Sequence, residues 1–404
     1  MSMNKQAEKL YPVAGIRMSA VAAGLKKPGK ADVVLFELCE GATVAGVYTK
    51  NVFCAAPVLL TRKHSTSHSP RYFLINSGNA NAGTGEAGMQ AALACCTALA
   101  KVGGVETQQV LPFSTGVIGE ALPVDKIISA LAPAIATLDA DAWLGAAKGI
   151  MTTDTVHKAY SEMFVLAGKR VTITGITKGA GMIKPNMATM LAYICTDAVI
   201  SADTLQELCQ EAANLSFNRI TVDGDTSTND CCMLVASGQG DLVYSEITKA
   251  EQLEFASTLN RVFVHLAQAI IKDAEGATKF VTISVEEGLN SNECLQLAYA
   301  IAESPLVKTA LFASDPNWGR ILAVVGRAGL TDLNISKVSI YLDDVCIVER
   351  GGRSATYTEA MGKEVMKQSA ISITVKLHRG DYSEKVWTCD LSYDYVKINA
   401  EYRT

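Results

Sequence analysis

The sequence predicts an α/β protein in which stacked sheets are covered by helical layers. Two observations carry this. Strand signals dominate the first third and return in the last third, with the strongest helical patterns between them. Strands and helices alternate in blocks rather than in strict βαβ units, which disfavours a plain doubly wound sheet. A chain of 404 residues is long enough for roughly two to three domains or one large one. It shows no repeat of solenoid period and no low-complexity linker.

Each element follows from its pattern. ADVVLFELCEG and ATVAGVYTK, residues 31–50, alternate and are rich in β-branched side chains, so they read as a strand pair. RYFLIN is a short buried strand that runs into a glycine-rich turn. Residues 86–100 read as a helix with Met89, Leu93 and Cys96 on one face. LPVDKIISALAPAIATL is helical in pattern and interrupted at Pro133. Residues 169–174 and 192–195 are strands. Ser201 caps a helix that carries Leu205, Leu208 and Ala212. Thr248 and Glu251 form a capping box that opens the longest helix, with Leu259, Phe263, Leu266 and Ile270 at helical spacing. VSIYL, VCIVER, ISITVKL and KVWTCDLSY are strands, and His378–Asp381 has the composition of a hairpin turn between two of them.

Composition narrows the function. Hydrophobic residues make up 49% and charged residues 19%, the balance of a well-packed globule. The net charge of −5 gives no pull toward nucleic acid or an anionic membrane. No apolar run is long enough to span a bilayer, and the opening MSMNKQAEKLYPVAG lacks the apolar core of a secretion signal, so the expected location is cytoplasmic. The eleven cysteines include no CxxC pair, so they read as reduced small hydrophobes. The five histidines form no HExxH pair, and no metal site is expected. His265, inside an apolar helical stretch, reads as a satisfied core residue.

Three small-residue clusters stand out. Gly83-Thr84-Gly85-Glu86-Ala87-Gly88 matches GxGxxG, a dinucleotide fingerprint. Six residues separate it from the preceding strand, and Glu86 would repel phosphate, so it reads as a structural loop. The stretch NSGNANAG before it is an ordered turn lying close to another segment. Phe113–Gly119 is a second such turn; a glycine N–H beside a threonine hydroxyl can give two donors to one point, as an oxyanion hole requires. The third cluster, residues 177–191, mixes two glycines and a proline with recurring apolar residues. That is a buried irregular loop, whose backbone must find partners. Spacing does not say which hydroxyl in it reacts.

KGAGMIKPNMATMLAYICTDA closely resembles the self-cleavage segment of the ornithine acetyltransferase family, enzymes of the cyclic arginine pathway. NSGNANAGTGEAG, STGVIGE, MTTDT, DGDTSTND, DAEGATKF, DPNWGR and INAEYRT also resemble family blocks, in family order along nearly the whole chain.

The resemblance implies an N-terminal-nucleophile-like architecture with its own topology. It implies autocatalytic cleavage between Ala188 and Thr189, giving an alpha chain of residues 1–188 and a beta chain of residues 189–404. Thr189 would take acetyl from N2-acetyl-L-ornithine and pass it to L-glutamate. Thr115 and Gly116 would form the oxyanion hole. Thr152, Lys178, Thr189, Glu275, Asn399 and Thr404 would bind substrate, with Lys178 on the α-carboxylate and Glu275 facing the cationic side chain of ornithine. No cofactor is implied, and whether acetyl-CoA is a second donor stays open. The implied partners are these small molecules and the two chains themselves, as a heterotetramer of two alpha and two beta. Two other readings stand beside this one: a hydrolase on the same architecture, with water as acceptor, and a nucleotide-binding protein built on residues 83–88.

Overall fold

The computed structural model describes residues 9–66, 68–184 and 190–401. The chain forms two compact units. The first comprises residues 1–179, 185–218 and 226–270; the second comprises 180–184, 219–225 and 271–404.

In the first unit the strands and helices run β1 (Ile16–Val21), β2 (Val33–Leu38), β3 (Thr43–Tyr48), α1 (Ala56–Ser65), β4 (Tyr72–Asn79), α2 (Gly85–Gly103) and β5 (Val110–Val117). They continue α3 (Val124–Ala136), α4 (Trp143–Gly149), β6 (Lys158–Leu166), β7 (Lys169–Lys178), β8 (Leu191–Thr196), α5 (Ala202–Leu215), β9 (Cys231–Ala236) and α6 (Lys249–Lys272). One sheet has the order β1-β2-β4-β5 and the other β3-β9-β8-β7-β6. Their facing sides share one core. Phe36, Phe73 and Phe113 of the first sheet meet Tyr193 of the second at centroid distances of 5.3, 5.9 and 5.2 Å. Each such aromatic pair adds about 0.5–1.5 kcal/mol beyond the area it buries. The opposite face of the first sheet is covered by α2 and α3, which bury Ala92, Cys95, Leu99, Ile127 and Leu131 with Leu35 and Leu74. Leu205, Leu208 and Cys209 of α5 are buried against β3 and β9, and α6 buries Leu259, Phe263, Leu266 and Ile270, with Leu266 lying against Gly175 of β7. The result is a helix–sheet–sheet–helix body, the layered α/β class the block pattern predicts.

The second unit holds β10 (Phe280–Gly288), α7 (Ser291–Ala302), α8 (Pro305–Phe312), α9 (Trp318–Arg327), β11 (Ser339–Leu342), β12 (Val345–Glu349), β13 (Gly352–Arg353), α10 (Glu359–Met366), β14 (Ala370–Lys376), β15 (Tyr382–Cys389) and α11 (Tyr393–Ala400). Its sheet order is β13-β12-β11-β14-β10-β15, with Leu297, Ile301, Val324 and Val325 of the helices packed onto Ile283, Ile340 and Ile373.

Caps behave as expected. The Ser201 hydroxyl accepts the Thr204 N–H, and Thr248 with Glu251 forms the reciprocal box, the Thr248 N–H reaching Glu251 Oε2 at 2.8 Å. Four expectations need correction. Strands β2 and β3 are not a pair: β2 lies between β1 and β4, whereas β3 pairs with β9 in the other sheet. Alternation tells which faces are buried, not which strand is the neighbour. The turn at 378–381 is no hairpin, because β10 lies between β14 and β15; the Arg379 and Gly380 N–H groups donate to the Glu287 carbonyl as the chain crosses over. Pro133 does not interrupt α3. It sits in the last turn on the exposed face, where the Ser129 carbonyl it leaves without an amide meets water. Leu93 is 42% exposed; α2 buries Ala92, Cys95, Cys96 and Leu99 instead.

All eleven cysteines are unpaired, eight of them buried. His265 is half-buried and stacks on Tyr160 with centroids 3.8 Å apart. Among the described residues no helix is long and apolar enough to cross a membrane.

Candidate active site

The two small-residue stretches read as turns are largely strand instead: Asn76–Asn79 ends β4 and Phe113–Val117 ends β5, and the two ends are built against each other. Strands β4 and β5 are parallel, with Ser77 opposite Thr115 and Gly78 opposite Gly116. Gly116 has φ +134°, and a Cβ there would overlap the Gly78 carbonyl carbon. Only glycine lets the two backbones approach this closely. The Ala80 N–H donates to the Val117 carbonyl at 2.9 Å, and the Gly119 N–H to the Ala82 carbonyl at 2.9 Å. Asparagines fill the remaining needs. Asn76 Nδ2 donates to the Asn79 carbonyl at 2.8 Å, and Asn229 Nδ2 donates to the carbonyls of Ala80 and Ser114 at 2.6 and 2.9 Å. The neighbouring segment expected for NSGNANAG is thus the Thr115–Gly116 end of β5. The GxGxxG loop is closed on itself: the Asn81 side chain bonds both the Gly88 carbonyl and the Thr84 hydroxyl, and Asn81 Oδ1 and Thr84 fill the space above Gly88.

The end of β7 brings a cation to this strand end. Lys178 Nζ donates to the Thr152 hydroxyl at 2.7 Å and to the Thr115 hydroxyl at 3.2 Å. An ammonium only donates, so it occupies a lone pair of each oxygen and leaves each hydroxyl proton to point elsewhere. Lys178 pairs with Leu191 of β8 in antiparallel register, so the head of β8 lies beside it.

Sequence reasoning missed the residue that organises this cluster. Asp154 is buried and accepts from three sides: Thr152 N–H at 3.0 Å, Gly179 N–H at 2.7 Å and Lys158 Nζ at 2.6 Å. Burial alone would raise its pKa. The Lys178 and Lys158 ammonium groups and the bonds from Lys158 and Gly179 outweigh burial and hold it at about 2. The one readable signal was the Asp154–Lys158 spacing of four. Lys26 was missed as well. Its Nζ donates to the carbonyls of Gly149 and Met151 at 2.9 and 2.7 Å. Burial, opposed by Asp32 and aided by nearby Lys178, lowers its pKa to about 8. Asp230, buried beside Lys178, is the third omission.

A second cluster lies in the second unit. The Glu275 N–H donates to the Ala180 carbonyl at 2.9 Å, and Asn399 Nδ2 donates to Glu275 Oε2 at 2.8 Å. A Cβ on Gly181 would overlap the Glu275 carboxyl, so the glycine makes the room that this side chain fills. Asp223 secures the same stretch by accepting the N–H groups of Met182 and Ile183 at 2.7 and 2.9 Å and the Tyr395 hydroxyl at 3.1 Å. Thus Thr115, Gly116, Thr152 and Lys178 meet in one unit, and Glu275 and Asn399 meet in the other. Ala188, Thr189 and Thr404 lie outside the described residues. Among the described residues no group of His, Cys, Asp and Glu has metal-holding geometry.

Hydroxyls, an ammonium and a close glycine pair gathered at strand ends of layered sheets are the kind of donor set that an acyl-transfer enzyme uses. The chain belongs to the ArgJ family, whose model matches residues 17–404. It is 58% identical over 98% of its length, and 98% of the relative's, to the arginine biosynthesis bifunctional protein ArgJ of Pseudomonas fluorescens. Among solved structures, ArgJ from Bacillus halodurans is 37% identical, with TM-score 0.49, covering 52% of this chain and 99% of that one. Ornithine acetyltransferase from Mycobacterium tuberculosis, complexed with ornithine, is 32% identical with TM-score 0.39, covering 46% and 97%.

Proposed function

We propose that this protein transfers acetyl from N2-acetyl-L-ornithine to L-glutamate in arginine biosynthesis, through an acetyl group carried on Thr189. The observation that carries the reading is the Lys178 ammonium bonded to both Thr152 and Thr115 beside Gly116. Both substrates present an α-carboxylate, for which Lys178 is the cation. The tetrahedral oxyanion forms next to that carboxylate. The Thr115 hydroxyl proton and the Gly116 N–H are then the donors for it.

The nucleophile is made by cutting the chain. The Thr189 hydroxyl attacks the Ala188 carbonyl, and the resulting ester hydrolyses to chains 1–188 and 189–404. A new α-amine titrates near roughly 7.7–8.0, so much of it is neutral at cellular pH and can take the hydroxyl proton. This supplies a base without a histidine. Acetyl-Thr189 is then attacked by the glutamate amine, so ping-pong kinetics follow. Glu275, held by Asn399, faces the cationic side chain of ornithine, and Thr404 adds a further substrate contact. Two chains of each kind form a heterotetramer in the cytoplasm. The word bifunctional in the name of the Pseudomonas relative favours a second donor, acetyl-CoA.

Purified protein should give two bands of about 20 and 23 kDa on a denaturing gel, from 42.9 kDa divided by residue count. Ornithine release beyond one equivalent per active site should require glutamate. Continued turnover without glutamate would turn the reading into the hydrolase. Acetylation of glutamate from acetyl-CoA alone would establish the second donor.

A further inference from the structure

In the second unit a tight turn carries Glu275. The Ala277 N–H donates to the Ala274 carbonyl at 3.0 Å, and Gly276, the third residue of the turn, has φ +67°. A turn of that shape needs glycine at its third position. Gly276 is also backed onto the start of α11: a Cβ on it would lie 2.6 Å from the Ser392 hydroxyl oxygen and from the Tyr395 nitrogen. Farther along the same helix, Asn399 holds the Glu275 carboxyl. The turn and the helix that grips its side chain are therefore seated against each other.

The seat is held by Asp390, in the link between β15 and α11. Asp390 is 3% exposed and accepts three hydrogen bonds, from the Thr278 N–H at 2.8 Å, the Lys279 N–H at 2.9 Å and the Thr278 hydroxyl at 2.5 Å. The link is pinned from behind. Buried Lys308 of α8 donates through Nζ to the Thr388 hydroxyl at 3.0 Å and to the Cys389 carbonyl, and its own carbonyl accepts the Leu391 N–H at 3.2 Å. The register of β10 is set without Asp390. Its ladders with β14 and β15 both begin at Phe280, whose N–H donates to the Ser369 carbonyl. Thr278 and Lys279 precede those ladders, in irregular backbone whose N–H groups must find partners elsewhere. Asp390 thus fixes the stretch that leaves the Glu275 turn, as Asp154 fixes the residue after Lys178.

Resting on the reading of Glu275 given above, we infer that Asp390 is a positioning residue for donor selectivity: by holding the Glu275 turn against α11, it keeps that carboxylate in place for a substrate with a side-chain ammonium. Attraction between charges falls with distance, and ordering a loose side chain on binding costs free energy, so a carboxylate that wanders attracts an ammonium less. A substrate without that ammonium does not register the loss.

The test is steady-state kinetics of the purified enzyme, with both substrates varied, for wild type, Asp390→Asn, Glu275→Gln and the double variant. Asp390→Asn turns an amide N–H toward groups that are themselves donors. KM for acetylornithine should rise about tenfold, the scale of one hydrogen bond to a charged group, while KM for glutamate stays within about twofold of wild type. In the Glu275→Gln background the Asp390 change should add almost nothing, because the charge it serves is already gone. A residue that only supports the fold would raise both KM values or lower kcat, and would do so equally in either background. Thr278→Val removes only the hydroxyl bond to Asp390 and should raise the acetylornithine KM by less. It decides the matter if thermal melts show that Asp390→Asn does not fold. If Glu275→Gln raises the acetylornithine KM, while the folded variants of Asp390 and Thr278 leave it at the wild-type value or raise both KM values together, the role of Asp390 alone is overturned. If Glu275→Gln leaves that KM unchanged, the reading of Glu275 falls and the role of Asp390 falls with it.

Discussion

The Asp154 carboxylate accepts the N–H of Gly179 at 2.7 Å, and so fixes the residue that follows the site lysine, 25 positions away. The same carboxylate takes the Thr152 N–H and the Lys158 ammonium, so one buried charge sets the backbone on both sides of the Lys178–Thr152 bond. Its folded pKa of about 2 lies below the ordinary 3.8. A depressed carboxylate stabilises the fold above its unfolded pKa and loses that contribution as pH falls through the folded one. The difference amounts to about 2 kcal/mol, lost between about pH 4 and pH 2. Urea unfolding at pH 4.5 and 2.5 should show wild type losing that much more than Asp154→Asn. At neutral pH the Asn variant should itself be less stable by about 3–5 kcal/mol, since it leaves Lys158 buried without its carboxylate. Equal pH slopes for the two proteins would remove Asp154 from this role.

Gly116→Ala should harm both fold and activity. The added Cβ meets the Gly78 backbone, which cannot swing aside as a flexible side chain could, and φ +134° disfavours any L side chain. A stability loss of about 1–3 kcal/mol follows from strain of this kind. If the Gly116 N–H serves the oxyanion, kcat should also drop by about 100-fold or more. Calorimetry and steady-state kinetics separate the two effects, and a variant with wild-type kcat would exclude Gly116 from the oxyanion hole.

Lys178→Met keeps the stem and removes the charge. Hydrogen bonds to charged groups contribute about 1.5–3 kcal/mol, so KM for both acetylornithine and glutamate should rise by about tenfold to a hundredfold. Both rise because the α-carboxylate is common to them. A change in only one KM would show that Lys178 reads something other than that shared group.

The burial pattern of the fold was legible in the sequence, and its pairings were not. Alternation marked the strands at 31–50 and 338–393, and helical spacing marked Leu259 to Ile270, because burial leaves a periodic trace. Partner choice leaves none, so β2 and β3 looked like neighbours and the turn at 378–381 looked like a hairpin. The site divides the same way. Thr115, Thr152 and Lys178 are 63 and 26 residues apart and were joined only by resemblance to a family. Asp154 matters through its burial and through Gly179, 25 positions on, and its one local trace is the spacing of four to Lys158. An aspartate in a loop looks solvated until the strands around it are placed.

Glu275→Gln should discriminate between the two substrates. Its carboxyl lies in the room left by Gly181 and is held by Asn399 Nδ2 at 2.8 Å, and the amide replacement preserves that size. Acetylornithine brings a side-chain ammonium, which a carboxylate attracts and an amide does not. Glutamate brings a carboxylate, which Glu275 repels. Losing the charge should therefore raise KM for acetylornithine by about tenfold, the scale of one charge-assisted hydrogen bond, while leaving KM for glutamate unchanged or lower. The same split should appear as inhibition: ornithine should compete less well against the variant than against wild type. Because ping-pong kinetics report each half-reaction separately, the two KM values can be read from one set of double-reciprocal plots. A parallel rise in both would place Glu275 at a shared group of the substrates, and an unchanged acetylornithine KM would take it out of side-chain recognition.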